Sequence, residues 1–118
     1  MSRRGERLRR FAARFPLGRP HAHLWDGVLH WADRRHGRAF RLWQRTLDLA
    51  ERLQTPYERG RAHLEIARHK RPEAYGRRHH LDQAVEIFDR LGCVRDRDRA
   101  LAELNGARAG AAGLTSPV

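Results

Sequence analysis

Apolar residues recur at three- and four-residue steps along most of the chain, the spacing that lines one side of an α-helix. No segment alternates apolar and polar positions for long, so no strand is predicted. The pattern predicts six helices. The first covers about residues 2–15, with Leu8, Phe11, Ala12 and Phe15 on one face and Pro16 and Gly18 closing it. Pro20 opens the second in its first turn, where a missing N–H costs nothing. That helix carries Leu24, Val28 and Trp31 to about residue 35, and His36-Gly37 is expected to turn the chain. The third spans about 38–53 with Phe40, Trp43, Leu47 and Ala50 inward. Thr55-Pro56 reads as an N-cap followed by a first-turn proline, with Glu58 where a capping box places its acid. The fourth helix runs on to about His69, with Tyr57, Leu64 and Ala67 inward, and Pro72 prevents its continuation. A fifth, over 77–91, buries Leu81, Ala84, Val85 and Phe88 and ends at Gly92 in the left-handed conformation. A sixth, over 94–105, carries Ala100, Leu101 and Leu104. From Gly106 the chain is rich in Gly and Ala and is expected to be disordered.

Six such segments pair into three antiparallel hairpins. The expected organisation is an N-terminal helix and linker over 1–19, stacked hairpins over 20–105, and a tail over 106–118. The second and third pairs resemble each other at a shift of about 38 residues, which sets Arg61-Ala62 on Arg99-Ala100 and Glu65 on Glu103. A rival register sets Ala39 and Trp43 on Ala84 and Phe88. One hairpin alone leaves its apolar stripe open, whereas stacked hairpins share a continuous core.

Charge changes the picture in one respect. The 118 residues carry 25 Lys and Arg against 14 Asp and Glu, a formal charge of +11, and Lys70 is the sole lysine. A strongly basic chain raises nucleic acid as a partner. The arginines are spread among acids instead of forming a block, which fits a solvated basic face or an acidic partner better. No helix-turn-helix, zinc-finger or RNA-recognition string is present. No run approaches the about 20 apolar residues that a membrane span needs. Arg7, Arg9 and Arg10 interrupt the N-terminus, against a secretory signal. Cys93 is the sole cysteine, which fits a reducing, cytoplasmic setting.

Candidate chemistry is sparse. His21 and His23, His63 and His69, and His79 and His80 all miss the i, i+4 spacing of a helical zinc site, and no HExxH occurs. Cys93 follows Gly92 in a turn with no nucleophile signature around it and is expected to be inert. The expectation is therefore no catalytic residue, no metal and no cofactor: the chain is not an enzyme. At helical spacing the aromatic residues read as core, with Trp25 as the best exception, beside the stripe and free to face a groove. Arg38, Arg59, Arg61 and Arg77, with Trp25 and His63, are the candidate partner-binding residues, on a concave surface lined by the first helix of each pair.

Three strings carry a family resemblance: RFAARFPLGRP from Arg10 to Pro20, TPYERGRAHLEIARH from Thr55 to His69, and HLDQAVEIFDRLG from His80 to Gly92. Over about residues 8–104 they resemble the C-terminal TPR-like helical-repeat region of bacterial adenylate/guanylate cyclase-type signalling ATPases. The resemblance implies an all-α fold of TPR-like antiparallel hairpins stacked as a short right-handed solenoid. It also implies a non-catalytic role in binding or scaffolding proteins, with an acidic or amphipathic partner or a cyclase or ATPase in trans. The chain has no GxxxxGK[ST] phosphate loop and no cyclase segment, so the resemblance extends to the repeat module alone. A basic helical nucleic-acid-binding protein is the alternative.

Overall fold

The computed structural model describes residues 19–115, with side chains from 20 to 106. Five helices follow one another: α1 (Arg19–Ala32), α2 (His36–Arg52), α3 (Pro56–Arg68), α4 (Arg77–Leu91) and α5 (Val94–Thr115). Among the described residues there is no strand, and there are five helices where six are expected. The helix expected at 2–15 lies outside the described residues. The last helix runs on to Thr115 instead of ending near Asn105. Its last ten residues hold four alanines, the best intrinsic helix formers, against three glycines.

Three of the helix ends share one device. Arg34, Gln54 and Gly92 adopt left-handed φ angles of 62°, 53° and 72°. After each, a backbone N–H reaches back five residues: Arg35 to His30 at 2.8 Å, Thr55 to Ala50 at 2.9 Å and Cys93 to Phe88 at 2.9 Å. These are Schellman closures, which satisfy carbonyls left over at the helix end. Gly92 plays the part its sequence predicts. The turn between α1 and α2 differs from expectation: Arg34 makes it, and His36-Gly37 already belongs to α2. Thr55 does precede Pro56, yet its hydroxyl makes no cap bond and is buried without a partner. Its backbone N–H is committed to the closure of α2.

Helices α1 and α2 form one hairpin and α3 and α4 a second. Each is locked by a glycine under an aromatic ring. A Cβ on Gly27 would lie 2.4 Å from Trp43 Nε1, and one on Gly60 would lie 2.8 Å from Phe88 Cε1. Ala39 and Ala84, one turn before each ring, are fully buried. The rival register therefore describes the second helices of the hairpins. The shift of 38 describes α3 and α5 instead, where Ala62 and Ala100 are both fully buried. The spacing changes because the α3–α4 connection, residues 69–76, is longer than those at 33–35, 53–55 and 92–93.

The core has two parts that meet on α3. Leu24, Ala39, Trp43, Ala62 and Ile66 join α1, α2 and α3. Leu64, Ala67, Leu81, Ala84, Phe88 and Ala100 join α3, α4 and α5. Helix α3 is consequently buried without a break from Ala62 to Ala67. Tyr57, expected inward, is 38% exposed at its N-terminal end, and Leu101 is 36% exposed. Besides its chain neighbours, α3 touches α1 on one side and α5 on the other, whereas α2 and α4 do not meet. The odd-numbered helices thus form one continuous row.

Candidate functional site

The six candidate partner-binding residues do not share a surface. Arg77 is buried: its Nε donates to the Ala67 carbonyl at 3.1 Å and its Nη2 to Glu103 at 3.0 Å. It caps the carbonyl end of α3 and ties that end to α5, a structural duty. Arg61 is held by Glu65 at 3.0 Å and lies 3.9 Å from Asp96 of α5. His63, two positions on and so on the opposite side of α3, faces α4. Trp25 is half-buried on α1 with its ring edge toward His21, 6.3 Å between centroids. Arg59 is half-buried on α3, and Arg38 is exposed on α2.

An ionic lattice occupies the α3–α5 side. Glu65 is only 3% exposed, so its charge needs compensation within the fold. Arg61 supplies it at 3.0 Å and Arg68 at 3.5 Å, while His69 Nδ1 lies 3.6 Å from the carboxylate and donates to the Glu65 carbonyl at 2.7 Å. Glu103 continues the lattice to Arg77 at 3.0 Å and Arg68 at 3.9 Å. The cross-helix half of the lattice depends on which faces meet, and spacing within one helix does not report that.

On the α4 side, the Nδ1 atoms of His63 and His80 are 2.9 Å apart, one ring donating to the other. Such a bond needs one bare nitrogen, so the pair cannot be doubly protonated. Burial pushes the His63 pKa down to about 3, helped by the nearby His80, Arg59 and His79. His80 is also lowered, first by burial and then by Lys70 and His79. The cluster is basic throughout and brings no carboxylate to the rings. Among the described residues, no group of three or more His, Cys, Asp or Glu is placed to hold a metal ion.

A groove of about 620 Å³ lies along α1 and α2, lined by Asp26, His30, Arg38, Phe40, Arg41, Leu42, Gln44, Arg45 and Asp48. Asp26 and His30 are buried at its α1 edge, with Oδ1 and Nε2 3.9 Å apart. Arg38, Arg41 and Arg45 are exposed and make no ion pair among the described residues, whereas Arg61, Arg68, Arg77, Arg78, Arg90 and Arg97 all do. Of the six candidates, Arg38 alone lines this groove. Among the described residues, no helix is long and apolar enough to cross a membrane.

Neither a family model, nor a curated protein, nor a solved structure matches the chain.

Proposed function

We propose that this protein is a non-catalytic protein-binding or scaffolding module, built from TPR-like hairpins that stack as a short right-handed solenoid. Its kinship would be with the helical-repeat tails of bacterial cyclase-type signalling ATPases, and its place of action the cytoplasm. The observation that carries the proposal is the repeated unit. Two hairpins are locked in the same way, Gly27 under Trp43 and Gly60 under Phe88, with α1, α3 and α5 in a continuous row. Stacks of this kind present extended surfaces, and such surfaces serve chiefly to bind other proteins. The partner is acidic or amphipathic and includes, as one case, a cyclase or ATPase acted on in trans.

Nucleic acid is the second reading, favoured by the unpaired arginines of α2. Phosphate contacts would give binding that is tolerant of sequence and weakens steeply with salt. Against it stands the share of arginines already consumed by Asp and Glu within the fold.

Affinity capture from a lysate of the source cells tests both. The full chain is the bait, the washes run from low to high salt, and bound protein and bound nucleic acid are read separately. A defined protein retained at high salt is the expected result. Nucleic acid that leaves with salt, with no protein behind it, overturns the proposal.

A further inference from the structure

The α1–α2 groove has a composition that selects among partners. Arg38, Arg41 and Arg45 stand at i, i+3 and i+7, so they share one face of α2 and span about 10 Å along its axis. Exposed arginines cost little to leave in water, so their lack of partners alone is weak. Their arrangement is more telling. Leu42, half-buried, adjoins them on the same side of α2, so cationic and apolar groups lie side by side along one wall. The lining also holds two carboxylates, Asp26 and Asp48. A nucleic acid would find no free ring to stack on there, because Phe40 packs against Trp31 and Trp43 with centroids 5.5 and 5.6 Å apart. A helix with acids along one stripe and one or two apolar side chains beside them meets the arginines with charge and Leu42 with hydrocarbon. The volume, about 620 Å³, accommodates a few side chains and not a whole helix, so the partner's backbone rides above the groove.

We infer that this groove docks a short amphipathic acidic helix of a partner protein, with carboxylates one turn apart on Arg38, Arg41 and Arg45 and an apolar side chain over Leu42. This deepens the protein-binding proposal and rests on it. Guanidinium–carboxylate pairs of this kind are directional and bidentate, which is how arginine distinguishes a spaced pair of acids from diffuse negative charge. Asp48, exposed three residues beyond Arg45, disfavours an acid at that margin and so limits where along the groove the partner's acidic stripe lies.

The test uses the full chain and a fluorescently labelled synthetic helical peptide with Glu one turn apart and Leu on the adjoining stripe. Its partner probe is a scrambled peptide of equal composition. Anisotropy titrations at physiological salt should give at least about tenfold tighter binding for the patterned peptide, a difference of about 1.4 kcal/mol. The variant Arg38→Gln/Arg41→Gln/Arg45→Gln should lose at least about tenfold of that affinity. An Arg78→Gln/Arg90→Gln chain, altered at exposed pairs on α4, should stay within about twofold, and thermal melts establish that both variants fold. Equal affinity for the scrambled peptide, equal loss in the α4 variant, or no binding to either peptide overturns the inference. So does a single-stranded oligonucleotide that displaces the patterned peptide at physiological salt, since the groove would then prefer phosphate. If capture yields a protein whose retention is indifferent to the α2 substitutions, the groove assignment fails while the protein-binding proposal stands.

Discussion

His63 shows how far burial can move a side chain from its ordinary chemistry. Its pKa is depressed to about 3, so in the fold the ring stays neutral where an unfolded histidine charges. The sign follows: between about pH 6.5 and pH 3 the unfolded chain binds more protons, so stability is lost as pH falls through that window. The ceiling is about 1.4 kcal/mol per pH unit for one such proton, and His80, lowered in the same direction, adds to the slope. Urea melts at pH 7 and pH 4.5 should therefore show a smaller acid loss in His63→Gln than in the parent chain. Equal losses would mean that the pair does not stay neutral in the fold. Arg77 makes a second residue-scale prediction. Its bonds to the end of α3 and to Glu103 imply that Arg77→Ala costs about 2–4 kcal/mol in urea denaturation. Lysine, which cannot serve both partners in one plane, restores only part of it. A loss within about 0.5 kcal/mol would return Arg77 to the surface role that its sequence context suggests. That context misleads for a physical reason: the partners of Arg77 lie 10 and 26 residues away, and one is a backbone carbonyl.

At the scale of elements, helical periodicity makes most of the architecture legible. Leu24, Trp43, Leu64, Leu81 and Phe88 fall on predicted inward faces and are buried. The spacing fails on α3, where Ala62 and Ile66 are buried as fully as Leu64 because the helix is wrapped on both sides. It also gives no notice of Gly27 and Gly60. A helical glycine ordinarily signals a weak point, and here each makes room for an aromatic ring. Gly60→Ala should cost about 1–3 kcal/mol through overpacking, and Phe88→Leu should recover part of that loss in the double variant. Strictly additive losses would mean that the two sites do not touch. The Schellman closures carry a prediction of opposite sign. Gln54 holds a left-handed φ that disfavours a Cβ, so Gln54→Gly should stabilise by roughly 0.5–1 kcal/mol while Gly92→Ala destabilises by about 1 kcal/mol. A destabilised Gln54→Gly chain would indicate that the α2–α3 turn is held by its side chain instead.

For the whole molecule, charge divides the chain into two regimes. From α3 onward, many arginines are spent on Glu65, Asp89 and Glu103, and they knit the later helices together. Along α2 they face outward over a groove whose lining also holds Leu42 and Phe40. The net charge of +11 cannot separate those uses, since structural and ligand-facing arginines count equally. Only the packing of α3 against α5 sorts them, which is why the sequence points to Arg61 and Arg77 alongside Arg38. If the stack of hairpins offers its first pair to a protein ligand, binding leaves a footprint on α1 and α2. Hydrogen exchange on the full chain, free and saturated with its captured protein, tests this most directly. Slowed exchange is expected in α1 and α2, centred on residues 38–48, with α4 and α5 unchanged. Protection confined to α4 and α5, or none on any helix, would contradict it.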